Sequence, residues 1–453
     1  MILIRRLKQL LDNRNTRSFK AKKNILFGFG IKGISIVIGL VLVPITIDYL
    51  DTTRYGIWIT LSSFLGWFSF FEIGLGTGLK NKLSEALATN NFELGKTYVS
   101  TSYFLISIIV FLLLFVFGIL AFILDWTIIL NAPIEYKNEL SILAIIVLFS
   151  FSLRFLLRLV ESVLFAFQDT ALSQTFNPIA NIISLFLLIV VMNTINSSLL
   201  LVGLIFSLTP IIVLIFPTIL LFKGKYSKVS PSLSFIKLSA SKELFGISLK
   251  FFIIQISTLI LFQTSTILIA QYFGPEEVTN YNIVFKYFSV IYMLFTIIVA
   301  PLWPAYTEAW VKNDIQWINR ILKKTKLIWY AFLFTGVILL VFSKVVYTAW
   351  VGDKVQISYE LSFWMLLYFL SLSFGGVYNM FINGVGKIHV QMISLGIGAI
   401  LYLPITIILI KIFHFGTEAV VIGMIFANFY SPFVAPYQSH LIISGKAKGM
   451  WNK

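Results

Sequence analysis

The chain is a succession of apolar runs, each about as long as a bilayer is thick, separated by short polar breaks. A helix needs about 20 mostly apolar residues to cross a roughly 30 Å hydrocarbon layer. Runs of that length fall near 25–49, 55–79, 98–123, 140–166, 174–192 and 199–222. A second set follows near 244–272, 279–303, 327–345, 359–382, 389–411 and 417–443. The expected fold is therefore an all-α polytopic membrane protein of about twelve transmembrane helices. Composition agrees, with 58% hydrophobic and only 12% charged residues among 453, against roughly 25% charged in soluble domains. A soluble fold could not hide that much apolar surface, and lipid takes the place of water.

The basic residues set the orientation. Eight precede the first run, from Arg5 to Lys23, and the breaks on the same side of the alternation bring that side to 25. The opposite side carries three, Arg54, Lys137 and Lys354. Such asymmetry is the positive-inside pattern and places both termini in the cytoplasm. The net charge of +16 is then topology and contact with anionic headgroups, and no nucleic-acid partner is expected. Residues 1–23 lack the apolar core and small-residue site of a cleaved signal. Ile2, Leu3, Leu7, Leu10 and Leu11 alternate helically with Arg5, Arg6 and Lys8, which reads as a basic amphipathic segment on the inner leaflet.

Several chemistries are excluded. With no cysteine, the chain has no disulfide, thiolate metal site or thiol nucleophile. Its three histidines, His389, His414 and His440, form no ligand spacing, and no phosphate-binding glycine loop appears. No metal or cofactor is expected, and coupling to H+ or Na+ is left open.

The chain also repeats itself. Ser84–Phe92 aligns without gaps to Thr307–Ile315, sharing Glu, Ala and Asn at equivalent places. The two stretches follow the second and eighth runs. Six spans per unit is an even number, so both halves enter from the same side and the repeat is parallel. The expected organisation is a basic N-terminus at 1–23, a six-helix lobe at 24–222, a cytoplasmic linker at 223–243, a second six-helix lobe at 244–443 and a basic tail at 444–453.

Tyr55-Gly56-Ile57-Trp58, Phe71-Glu72-Ile73-Gly74-Leu75-Gly76, Phe273-Gly274-Pro275, Tyr281 and Pro301-Leu302-Trp303-Pro304-Ala305-Tyr306-Thr307-Glu308-Ala309 together carry a likeness. With them the sequence resembles the polysaccharide-exporter branch of the multidrug/oligosaccharidyl-lipid/polysaccharide flippase superfamily, nearly end to end. The resemblance implies two six-helix lobes around a central cavity. It implies a cargo of undecaprenyl-diphosphate-linked oligosaccharide, an O-antigen or capsule unit, moved from the inner to the outer leaflet of a bacterial plasma membrane. Membrane lipids and other polysaccharide-assembly membrane proteins are the further candidate partners.

Seven charged residues within the runs are candidates for that work. Lys32, Arg154, Arg158, Lys250 and Lys286 stand against Glu72 and Glu161. A cation facing lipid at mid-span costs about 2.5–3.5 kcal/mol, so these side chains must face one another, a partner or water. Arg154, Arg158 and Glu161 share a stripe of the fourth span at i, i+4 and i+7. Lys32 shares a face with Gly28, Ser35 and Gly39, and Lys286 with Asn282 and Ser289. Guanidinium forks and lysine ammoniums suit the oxygens of a diphosphate. The plainer role is neutralisation, with Glu161 paired to Arg158 and Glu72 to a neighbouring cation. Gly28, Gly30, Gly33 and Pro44 in the first span, and Pro301 and Pro304, which break the eighth, are candidate hinges.

Two rival functions remain. A MATE-type drug or ion antiporter would use acidic residues in its lobes, whereas the in-span charges here are mostly basic. A membrane glycan polymerase or ligase would need a large external loop. The longest expected here, Asp125–Glu139, has about 15 residues and no His or Arg.

Overall fold

The computed structural model describes residues 17–67, 75–167, 169–245, 249–299, 302–352 and 355–452. Among the described residues the chain forms helices and turns and no strand. The N-terminal lobe contains α1 (Arg17–Leu50), α2 (Thr52–Trp67), α3 (Leu75–Ala88), α4 (Phe92–Ile123), α5 (Trp126–Leu130), α6 (Lys137–Leu157), α7 (Leu159–Ala166), α8 (Phe176–Thr194) and α9 (Leu199–Lys223). After the short α10 (Ser241–Phe245), the second lobe contains α11 (Leu249–Phe273), α12 (Pro275–Val299), α13 (Leu302–Val311), α14 (Ile315–Val341) and α15 (Ser343–Val351). It ends with α16 (Tyr359–Gly384), α17 (His389–Lys411), α18 (Glu418–Ala427) and α19 (Ala435–Ile443).

Nine helical stretches among the described residues are long and apolar enough to cross a membrane, and the pair Glu418–Ala427 and Tyr430–Ile443, bent by 41°, makes a tenth. A turn of π-helix at Tyr430–Val434 accounts for the bend, because Pro432 within it cannot continue the ordinary ladder. The other two expected spans fall on α2, which runs up to the edge of the described residues, and on α11, which is 25 residues long. Phe111, Phe115, Phe186, Phe216, Phe334 and Ile400 are each more than 60% exposed. Such a surface is stable only against lipid. The protein is a multi-pass membrane protein.

The repeat is visible atom by atom. In the first lobe, Asn90 takes a left-handed φ of 56° and in the second Asn313 takes 55°. Around them Asn91 N–H donates to the Ala86 carbonyl at 2.8 Å, and Asp314 N–H to the Ala309 carbonyl at 2.9 Å. The side chain of Asn91 caps α4 through the Leu94 N–H at 3.0 Å, while Asp314 caps α14 through the Trp317 N–H at 2.9 Å. A short oxygen at the N-cap and a residue tolerant of positive φ just before it are what this helix-to-helix corner needs. The sequence supplies both at the same offset in each half.

At one end of the bundle, each lobe is closed by the segment that follows it. Residues 224–245 fold back along the start of α4. Ser232 N–H donates to Ser100 Oγ at 3.0 Å, Lys237 N–H to Thr101 Oγ1 at 3.1 Å, and the Tyr98 hydroxyl to Glu243 at 2.6 Å. Asp169 accepts from both Lys225 and Tyr226. The segment expected to be a linker is thus a strap of the N-terminal lobe. On the second lobe Lys387 donates to Asn452, and Trp451 packs edge-on against Tyr437 at 5.4 Å.

The lobes meet at the opposite end, hereafter the far end. The α2 helix packs on α11 and α12. Thr279 Oγ1 donates to the Thr52 carbonyl at 2.6 Å, Thr53 to Glu276 at 2.9 Å, and Asn131 Nδ2 to the Ala270 carbonyl at 2.9 Å. Asn131 ends α5 within the expected 15-residue loop, which is folded rather than open. Lys137, at 2.7 Å, and Thr127 hold the carboxyl of Asp125 at the head of α5 down at about 2.

Pro44 behaves differently from the sequence expectation. The α1 helix runs unbroken through Gly30, Gly33 and Pro44 to Leu50. A proline has no N–H, so the carbonyl four residues earlier loses its helical donor. That carbonyl belongs to Leu40, and Trp350 Nε1 of the second lobe donates to it at 2.9 Å. Packing from the other lobe replaces the missing bond, so the proline adds a tie between lobes instead of a break. Gly28 lies in the same continuous helix. Pro301 lies outside the described residues, and Pro304 sits in the first turn of α13, where a proline is tolerated.

Candidate functional site

Lys286 lies eleven residues into α12, about 16 Å from the far end at 1.5 Å per residue, which is close to mid-span. It reaches into a cavity of about 210 Å3 between the lobes. The cavity is walled by α1 around Gly39 and Thr46, by Tyr55 and Trp58 of α2, and by Asn181 of α8. Every lining residue except Lys286 comes from the N-terminal lobe. The Tyr55 hydroxyl donates to Asn282 Oδ1 at 3.0 Å and accepts from Lys286 Nζ at 3.4 Å. Trp58 stacks on Phe206 at 5.8 Å, which fixes the apolar wall. Among the described residues no carboxylate lines the cavity.

A second tier lies closer to the strap end. Arg154 is seventeen residues into α6, about 26 Å from the far end and so about 10 Å below Lys286. Its Nη2 donates to Asn177 Oδ1 of α8 at 3.0 Å. Its Nε is buried and has no hydrogen-bond partner among the described residues. Asn177 stands one helical turn below Asn181, so the two amides share a face. Lys32, exposed on α1, is two turns below Gly39 and on the same face as that cavity residue, again about 27 Å from the far end. The α1 helix packs on α8, and neither Lys32 nor Arg154 lines the cavity that holds Lys286.

The remaining candidates divide. Arg158 joins α6 to α7 with right-handed helical backbone, its N–H donating to the Arg154 carbonyl, so one span runs from Ile134 to Ala166. Its side chain is 49% exposed and pairs with Glu161 at 3.7 Å. Lys250 lies in the first turn of α11, with its side chain outside the described set, and Glu72 is likewise outside it. Asn177 and Asn181 were not anticipated. Their signal was present, as two asparagines four apart in the first two turns of a mostly apolar 19-residue helix.

Two helical lobes with a cavity between them at mid-span make a MATE-like fold. The inward-facing structure of a multidrug resistance MATE family transporter of the MOP superfamily superposes with a TM-score of 0.75 at 14% identity, over 93% of this chain and 98% of that one. The outward-facing structure superposes at 0.60 and 14% identity, over 97% and 98%. Residues 21–310 match the polysaccharide biosynthesis protein family, and the chain belongs to it. A putative O-antigen transporter of Salmonella typhimurium is 23% identical over 292 residues, 63% of this chain and 66% of that protein. The corresponding protein of Salmonella typhi is 25% identical over 62% and 64%. The chain thus spans just under two-thirds of the curated relatives it matches.

Proposed function

We propose that this protein moves a lipid-linked oligosaccharide, carried on undecaprenyl diphosphate, from the inner to the outer leaflet of a bacterial inner membrane by alternating access. Family membership and the O-antigen relatives support the cargo class. The observation that carries the reading is Lys286, the second lobe's one contribution among the described residues to a cavity the first lobe builds. A cation there meets a phosphate from the second lobe while the first lobe supplies the rest of the wall, and this ties cargo binding to the arrangement of the lobes. Lys32 and Arg154 lie in the tier below, with the Asn177 and Asn181 amides between the two tiers.

The far-end contacts and the exposure of Lys32 support a cavity open toward the strap end. With the basic residues concentrated there, that end is the cytoplasmic one, and both termini lie in the cytoplasm. A lining of lysine and amides suits an anion better than a cationic drug, which favours the flippase over an antiporter. The test is complementation of strains that lack their own O-unit or capsule-unit flippase. Restored surface polysaccharide is the expected result. Failure with several cargo types, at normal protein abundance, would overturn the reading.

A further inference from the structure

Tyr55 belongs to two structures at once. Its helix, α2, forms the far-end contact with α12. Next to it, a Cβ placed on Gly56 would lie 1.8 Å from the Pro275 carbonyl oxygen, so the two helices touch there without any intervening side chain. Three residues before Tyr55, the Thr52 carbonyl accepts from Thr279. Tyr55 is itself buried, at 2% exposure, in a cluster otherwise made largely of second-lobe residues, with Val43 and Ile47 beside it. Yet its hydroxyl points into the cavity, where it accepts from Lys286 and donates to Asn282. Lys286 and Asn282 are both on α12, one turn apart, so a single hydroxyl bridges the lobes between the far-end contact and the cavity cation.

We propose that Tyr55 is the positioning residue that couples occupancy of the cavity to the far-end closure. The inference rests on the reading of Lys286 as the group that binds the cargo's phosphate. In the empty carrier the lobes cannot part at the far end without leaving a mid-membrane ammonium and a tyrosine hydroxyl unpaired, which is unfavourable in a low-dielectric site. An anion that takes Lys286 removes this penalty, because the ammonium keeps a partner when α2 and α12 separate. The ligand therefore binds the open form better than the closed one and shifts the equilibrium toward it. An empty carrier stays closed, and futile opening is suppressed.

The absence of native cysteine allows a direct test. Val43, fully buried in the same interlobe cluster, is replaced by Cys in the full chain in lipid nanodiscs, and its labelling rate by a maleimide is followed with and without inorganic pyrophosphate. Pyrophosphate is expected to raise the rate about three- to tenfold, the range of one hydrogen bond. Tyr55→Phe, which keeps the buried ring, should label faster by that factor without pyrophosphate and respond to it less than twofold. Thr279→Val, which weakens the contact without touching Lys286, should label faster yet keep the full response. Tyr55→Phe responding like its parent would overturn the proposal. Calorimetry separates the coupling from the reading beneath it. Lys286-dependent binding of pyrophosphate that leaves labelling unchanged would overturn the coupling alone. Pyrophosphate binding equally well to Lys286→Gln, or not at all to the parent, would overturn both.

Discussion

Under the proposed function, Lys286→Gln is expected to abolish export of the lipid-linked glycan while leaving the protein in the membrane at near-normal abundance. The substitution shortens the side chain by one atom but keeps a polar end on a helix buried mostly through apolar residues. It removes a charge whose one hydrogen-bond partner among the described residues is the Tyr55 hydroxyl at 3.4 Å, so the folded state loses little. A phosphate in the cavity loses a charge-assisted bond, worth about 1.5–3 kcal/mol, or roughly ten- to a hundredfold in occupancy. Lys286→Arg retains the charge and is expected to retain part of the activity. Arg158→Gln should cost much less, because that side chain is half exposed and already paired with Glu161. Export assayed as surface polysaccharide, with abundance measured in the same cells, checks the order. Normal export by Lys286→Gln, with loss in Arg158→Gln, would reverse the assignment.

Gly56→Ala should have the second largest effect, on closure of the far end. The new methyl would meet the Pro275 carbonyl oxygen at 1.8 Å and its carbon at 2.6 Å. Both are backbone atoms at the start of a helix, so neither can swing aside as a long side chain would, and α2 and α12 must move apart. Overpacking of this kind costs about 1–3 kcal/mol, comparable to one or two of the hydrogen bonds that hold the far end together. A cysteine at position 43 is expected to label at least about tenfold faster, with export lost because the closed form is no longer reached. Pro44→Ala tests the same closure more gently. It gives Leu40 back its helical donor and takes the acceptor from Trp350, and labelling should rise about threefold. Unchanged labelling in both variants would mean that these contacts do not govern the opening.

The sequence alone determined what is local or periodic. Runs of apolar residues set the spans, because lipid penalises any unpaired backbone group. The Asn90–Asn91 and Asn313–Asp314 pairs set identical corners in both halves, because cap and positive-φ chemistry act within a few residues. The presence of cations in the spans was legible too, since each is costly wherever it sits. Partnership was not legible, because contacts across the lobe interface depend on helix rotation and separation that no spacing rule encodes. Tertiary packing decided that Lys286 meets Tyr55, 231 residues away, and that Arg154 meets Asn177 on a different helix. It turned the expected break at Pro44 into a tie through Trp350, 310 residues apart from Leu40. It also made the polar stretch after α9 a strap on α4, since Ser100 and Thr101 offer hydroxyls that the extended backbone at Ser232 and Lys237 can satisfy. A chain's own pattern fixes which groups must find partners, and only the assembled lobes fix which partners they find.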